Sequence, residues 1–238
     1  MCTATSLNHS QNSSTMNTHH HHQQQEDESL LQRVAMELEA LRKLEEETSC
    51  KQQQSQHKKD VGKSFPRACR KYLYSLHGNT KCVDCNNANP DWASITYGTL
   101  LCVNCSGRHR SYGVTKSRVR SISMDTWSYT QVLSMLEGGN TQLQVFFSRH
   151  NLHDTNTRYY TKAALFYRTH LNQHVTKVAN SGLYQGRNVS RRRQQQQQEQ
   201  KKQQQQQMST CRMEEEEVQQ SLSSSSMHSP RQASIVIQ

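Results

Sequence analysis

Apolar residues are scarce in this 238-residue chain: hydrophobic types make up only 32% of it, too few for one core running throughout. No apolar run approaches the ~20 residues of a membrane-spanning helix, which excludes a helical integral membrane protein. The amino terminus lacks the charged-then-apolar pattern of a signal peptide, and Cys2 stands where a myristoylation signal needs Gly. We therefore expect a chain outside the secretory route, with the Asn12-Ser13-Ser14 and Asn188-Val189-Ser190 triplets incidental. Acidic residues are sparse where the chain is least polar. Between Pro66 and Asn180 there are fourteen Lys and Arg against five Asp and Glu, a balance of +9. Such a surface predicts an anionic partner: nucleic acid, phospholipid headgroups or an acidic protein face. The sign alone does not choose among them.

Cysteine is not scarce, and half of it is patterned. Cys82-Val83-Asp84-Cys85 and Cys102-Val103-Asn104-Cys105 form two CxxC turns separated by sixteen residues, with Arg110 five positions after the last thiol. Two such turns can close four thiolates around one tetrahedral zinc ion. A disulfide pair or a redox motif is the competing reading. Nothing suggests secretion, however, and a redox site needs one CxxC rather than two at zinc-ribbon spacing. The structural zinc site is therefore the reading adopted for Cys82, Cys85, Cys102 and Cys105. One Zn²⁺ and four thiolates would lower the local balance to about +7. Cys2, Cys50, Cys69 and Cys211 have no such spacing and read as reduced thiols.

Composition divides the chain into three. Residues 1–60 open on a Ser/Asn/Thr-rich stretch, then His19–His22 and Gln23–Gln25, and are expected to be low-complexity and disordered. Within them Leu31, Val34, Leu38 and Leu41 predict an amphipathic helix over about 29–47. It covers barely two heptads, short for a coiled coil, so oligomeric state stays open. Gln52–Gln54 and Lys58-Lys59 read as a linker. Residues 61–180 carry the globular pattern. Helices are predicted from Ala68 to Leu76, from Ser106 through Arg110, over Ser128–Glu137 and Thr141–Arg149, and from about Thr157 to Val175. Ser94–Leu101 reads as strand and turn leading into the second CxxC, and Val119–Met124 as another strand. The fold class is α+β: a small four-cysteine zinc-finger sheet surrounded by helices, with disordered flanks. Residues 181–238, with Arg191–Arg193, two Gln runs, Glu214–Glu217 and Ser223–Ser226, bury too little apolar surface to offset chain entropy and are expected to be a disordered tail.

The residues around the cysteines are more specific than their spacing. Asn89-Pro90-Asp91-Trp92 lies between the turns, Cys105-Ser106-Gly107-Arg108-His109-Arg110 follows them, and Asp125-Thr126-Trp127 comes later. In this order they resemble the catalytic domain of the Arf GTPase-activating proteins, the ArfGAP family, over about Phe65 to Val178. Gly138-Gly139-Asn140 and Lys162-Ala163-Ala164-Leu165-Phe166 look most like its Golgi-type branch. The resemblance implies GTPase activation on an Arf-family small GTPase in the GTP-bound state, in vesicle traffic. Arg110 would be an arginine finger supplied in trans. The chain would have no complete active site of its own, the GTPase supplying the water-positioning Gln and Mg²⁺. Trp92 matches the tryptophan near that arginine, where its face could orient the guanidinium or simply be core. Val103 and Met124 match apolar positions near the GTPase contact. His109 is expected to pack or hydrogen-bond rather than add a fifth ligand. Asp125 is expected to fix local backbone or pair with Arg120. Thr115 departs from the pattern, which commonly has His after Gly-Val.

The implied location is cytoplasmic and peripheral on Golgi or other endomembranes, beside an anionic membrane surface. Two other classes stay in view. The basic balance and four thiolates suit a zinc-ribbon nucleic-acid binder, but the zinc loops carry few aromatic–basic alternations for stacking bases. A non-catalytic ArfGAP-like scaffold is the other, and the retained Arg110 argues against it.

Overall fold

The computed structural model describes residues 12–52 and 63–225. Contacts divide the chain into two units, Met1–Arg187 and Asn188–Gln238. The linker residues 53–62 and the apolar ending 234–238 lie outside the described residues.

The first unit follows from alternation and capping. Its centre is a three-stranded antiparallel sheet in which β2 (Trp92–Ser94) lies between β3 (Thr99–Leu101) and β4 (Val119–Ser121). Trp92 sits opposite Leu101 on one side and Ser121 on the other. The strand and turn predicted at Ser94–Leu101 are thus part of a hairpin, with Gly98 turning the chain at φ +62°. A Cβ on Gly98 would meet the Ser134 carbonyl at 2.4 Å and Gly138 Cα at 2.8 Å, so the hairpin tip can press on the helix end only because both residues are glycine. A second, two-stranded ribbon pairs β1 (Lys63–Ser64) with β5 (Thr126–Trp127).

Helices surround the sheet, as the α+β reading expects. They are α2 (Arg67–Ser75), α3 (Val103–Ser111), α4 (Tyr129–Glu137), α5 (Asn140–Arg149) and α6 (Lys162–Asn180). Ser128 and Gln131 form a capping box that starts α4. Two helix starts differ by several residues from the sequence reading. α3 begins at Val103 rather than Ser106, because Cys102 is itself the cap and its sulfur accepts from the Cys105 N–H. α6 begins at Lys162, where Thr161 caps the Ala164 N–H, and Arg158–Tyr160 before it form a 3₁₀ turn.

The largest difference lies in the flanks. The predicted amphipathic helix is part of α1 (Asn12–Gln52), and Leu30, Val34, Leu38 and Leu41 are buried in the domain core. α1 packs against α2 and α4. Its carboxylates also serve both helices. Glu37 accepts from the N–H groups of Ala68 and Cys69 at 2.7 and 3.1 Å, and Glu45 from that of Tyr129 at 2.6 Å. α2 needs this partner, since Pro66 at its start offers no side-chain cap. The stripe is therefore covered by the chain's own domain. In the second unit, the tail expected to lack order runs as α7 (Arg187–Ser225), with nearly every described side chain from Arg192 onward exposed. Gln, Glu, Arg, Lys and Met are good helix formers, so a polar run can be helical without burying a core.

Leu38→Ala should lower the unfolding free energy of the chain by about 2–5 kcal/mol, the usual cost of a cavity at a buried leucine. Urea denaturation measures it. An unchanged midpoint would mean that α1 contributes nothing to the domain.

Candidate functional site

The two CxxC turns meet. The sulfurs of Cys82, Cys85, Cys102 and Cys105 all lie within 4.8 Å of one another, and Cys85 Sγ is 3.5 Å from Cys102 Sγ. Four zinc–sulfur bonds of ~2.3 Å at tetrahedral angles place sulfurs ~3.8 Å apart, so the donor set fits one such ion. The first turn is closed by the Cys82 N–H on the Asn87 carbonyl (2.7 Å) and the Asn86 N–H on the Cys82 carbonyl (3.0 Å). Asn86 and Asn89 take left-handed backbone, which Asn tolerates better than most residues. The Val83 N–H donates to the Leu100 carbonyl, fastening this turn to β3. The second turn runs straight into α3, whose first N–H groups favour a thiolate at Cys102, whereas burial pushes the Cys105 thiol up. Arg108 adds its guanidinium to Cys105 Sγ at 3.1 Å. Burial pushes the Cys82 thiol up, a penalty that a divalent cation would offset by binding the thiolate.

One acid inside the first turn organises the far side of the cluster. The Asp84 carboxylate, fully buried, accepts from Tyr159 O–H at 2.6 Å, from His109 Nε2–H at 3.1 Å and from the Arg158 guanidinium. Burial alone would raise this carboxyl. The His109 hydrogen bond and charge, then Tyr159 and Arg158, outweigh it and hold the pKa down to about 2. A carboxylate can only accept, so His109 donates through Nε2 and its Nδ1 faces Ser117 Oγ at 2.7 Å. His109 is buried against Tyr159 with ring centroids 4.5 Å apart. It is therefore a hydrogen-bonded core residue and not part of the sulfur cluster.

Asn140 fastens the cluster from behind. Its Oδ1 accepts from the Leu100 N–H at 2.7 Å, and its Nδ2 donates to the Lys81 carbonyl at 2.5 Å, next to Cys82. Sequence reasoning used Asn140 only as part of a turn and gave Asp84 no role. The one signal pointing to either is a short polar residue at a buried position, which one sequence does not reveal.

The remaining candidates lie on the sheet and α3. Arg110, in the last turn of α3, is exposed, and its guanidinium carbon sits 4.3 Å from the centroid of the half-buried Trp92 ring. Val103 at the start of α3 is 64% exposed, and Met124, just past β4, is 71% exposed. Both leave apolar surface in solvent where packing would have hidden it. Asp125 accepts from the Ser121 N–H at 2.7 Å, while Arg120 donates to the Thr126 carbonyl at 2.7 Å. Asp125 thus fixes backbone, the first of its two expected roles. Thr115 is exposed in the turn after α3.

Residues 67–177 match the ArfGap family, described as "Putative GTPase activating protein for Arf". The ADP-ribosylation factor GTPase-activating protein 3 of Pongo abelii is 48% identical over 101 residues, 41% of this chain and 20% of that protein. The ADP-ribosylation factor GTPase-activating protein GCS1 of Saccharomyces cerevisiae is 42% identical over 80 residues, 34% of this chain and 23% of that one. The chain thus spans about a fifth of the length of the curated relatives it matches. A crystal structure of a "putative GTPase activating protein for ADP ribosylation factor" from Cryptosporidium parvum aligns at 26% identity with a TM-score of 0.43, covering 47% of this chain and 96% of that one.

Asp84→Asn should destabilise the domain by about 3 kcal/mol, because an amide offers N–H groups toward His109 and Arg158, which themselves donate. Denaturation in zinc-replete buffer tests this. A loss below about 0.5 kcal/mol, the size of an ordinary surface substitution, would show that Asp84 organises nothing.

Proposed function

Since residues 67–177 make this chain a member of the ArfGAP family, we propose that it stimulates GTP hydrolysis by an Arf-family small GTPase and that Arg110 is the group it supplies. GTP hydrolysis in a small GTPase is slow because charge gathers on the phosphoryl oxygens with too little to neutralise it. A guanidinium inserted in trans offers a permanent charge and a planar fork of donors, worth roughly 10³–10⁵ in rate. The observation that carries this reading is the stacking of Arg110 on Trp92 at 4.3 Å. The cation–π contact restrains the guanidinium plane while leaving its outer N–H groups in solvent, and so lowers the entropy lost when they meet a phosphate. Val103 and Met124, both exposed, would be the apolar contacts for the GTPase. Val103 shares α3 with Arg110, and Met124 follows Ser121, the residue opposite Trp92.

Zn²⁺ is the metal we assign to Cys82, Cys85, Cys102 and Cys105. Bound there it would supply no chemistry to the hydrolysis. It would fix the start of α3 and, through two helical turns, the position of Arg110. The family's GTPase partner and the basic balance of residues 66–180 support peripheral action at an anionic membrane, with the Golgi as the site the branch suggests. Among the described residues, no helix is long and apolar enough to cross a membrane.

Arg110→Lys should leave fold and zinc content alone and lower stimulated hydrolysis by ~10³-fold or more, a loss of about 4 kcal/mol of transition-state stabilisation. A GTP hydrolysis assay with purified Arf-GTP measures it. Retention of more than about a tenth of the activity would move the finger to another arginine, Arg108 first. Cys102→Ala should instead reduce zinc content and helicity together, since binding and folding are linked. A variant that holds one zinc per chain and melts like the parent would remove the structural site.

A further inference from the structure

Between the β2–β3 turn, the segment after α3, α4 and α6 lies a cleft of about 380 Å³ that the reading above does not use. Its polar lining is Thr96, Arg118, Ser134, Arg168, Thr169 and Asn172, and no Asp or Glu lines it. Arg118 is exposed and Arg168 half-buried. Neither guanidinium has a carboxylate within 4.0 Å among the described residues, although every one of the five acids between Pro66 and Asn180 has a hydrogen-bond partner. Two like charges facing one cleft without a counter-charge repel each other, and an anion between them would offset that cost.

The neutral groups point the same way. The Arg118 N–H donates to Thr96 Oγ1 at 2.9 Å, so the Thr96 hydroxyl oxygen is occupied as an acceptor and its proton is free for a ligand. Thr169 and Asn172 add a hydroxyl and an amide. Arg168, Thr169 and Asn172 project from one helix, α6, and Thr96 from a turn pinned at Gly98, so the donors are held on rigid elements. The volume lies within the ordinary range for small-molecule sites.

We propose that this cleft binds a phosphomonoester, with Arg118 and Arg168 as the charged clamp and Thr96, Thr169 and Asn172 as neutral donors. A phosphomonoester carries close to two negative charges and three acceptor oxygens, which two guanidinium forks meet bidentately. The group can arrive on an inositol lipid headgroup or free in solution. Because the readout is binding, the inference stands or falls separately from GTPase activation.

The test uses the full chain and three probes at constant ionic strength: inorganic phosphate, inositol trisphosphate, and phosphatidylcholine vesicles with or without phosphatidylinositol bisphosphate. Calorimetry follows the soluble probes and flotation the vesicles. We expect saturable binding that weakens about tenfold in Arg118→Gln, is lost in Arg118→Gln/Arg168→Gln, and is unchanged in Arg149→Gln, which removes the same charge from an exposed helix end. Vesicle binding competed by inositol trisphosphate but not by equal inorganic phosphate identifies the lipid source, and equal competition by both identifies free phosphate. Arg118 is exposed, so its single variant decides even if the double variant fails to fold. Equal losses in Arg118→Gln and Arg149→Gln, undiminished binding in Arg118→Gln, or no saturable binding of any probe would overturn the site.

Discussion

Four sulfurs held within 4.8 Å of one another constrain everything nearby. The chain must leave the first turn, make a hairpin and return, so β2 and β3 are the two arms of a loop whose ends are tied. The second turn then has no freedom in how it starts α3, because Cys102 is both a member of the cluster and the helix cap. From that fixed origin, successive residues point about 100° apart around the helix. Arg108 turns back to Cys105, His109 inward to Asp84, and Arg110 outward over Trp92. Three consecutive basic residues thereby serve the sulfur cluster, the core and the solvent face. Shifting the helix start by one residue would exchange these roles, which is why the sulfur cluster and the placement of Arg110 are one constraint.

What the sequence made legible is what short-range chemistry encodes. The cysteine spacing identifies the cluster, Ser128 with Gln131 marks the start of α4, and alternating or 3.6-period apolar residues mark most of the elements. The features that escaped reading are pairings across long separations. Asp84 meets Tyr159 75 residues away, and Asn140 meets Lys81 59 residues away. Neither pairing leaves a periodic trace, because each is one polar residue satisfying buried groups from another part of the chain. The amphipathic stripe of α1 was visible, but its destination was not. A row of leucines specifies that a face is buried without saying whether the cover is another copy or the same chain. Glu37 and Glu45 resolve this in the structure, since each terminates on a helix start of its own domain. In the tail the entropy argument concerns burial of a core, and α7 buries none from Arg192 onward.

The docking of α1 also changes the electrostatic reading. Residues 66–180 carry a balance of +9, and their few acids are turned to internal use. Asp84 holds the buried hub, Asp91 accepts from Ser121 and Arg70, Asp125 from the Ser121 N–H, Glu137 pairs with buried His174, and Asp154 accepts from Asn156 and Thr157. Apart from the Arg70–Asp91 and Arg108–Asp84 pairs, these acids fasten backbone and core instead of balancing surface lysines and arginines. α1 reverses the sign. Between Glu26 and Glu47 it holds Glu26, Asp27, Glu28, Glu37, Glu39, Glu45, Glu46 and Glu47 against Arg33, Arg42 and Lys43. This acidic helix packs on α2 and α4, whereas Arg110 projects from α3 and Arg168 from α6. Negative charge is thus added along α1, whereas Arg110 and Arg168 on other elements have no carboxylate within 4.0 Å among the described residues. Charges separated in this way orient a protein as well as attract its partner. An anionic surface, whether a phosphorylated ligand or a bilayer, would be met by the arginine-bearing elements and repelled from α1. The positive charge that composition assigns to the whole domain thus becomes directional once the acidic helix is part of it.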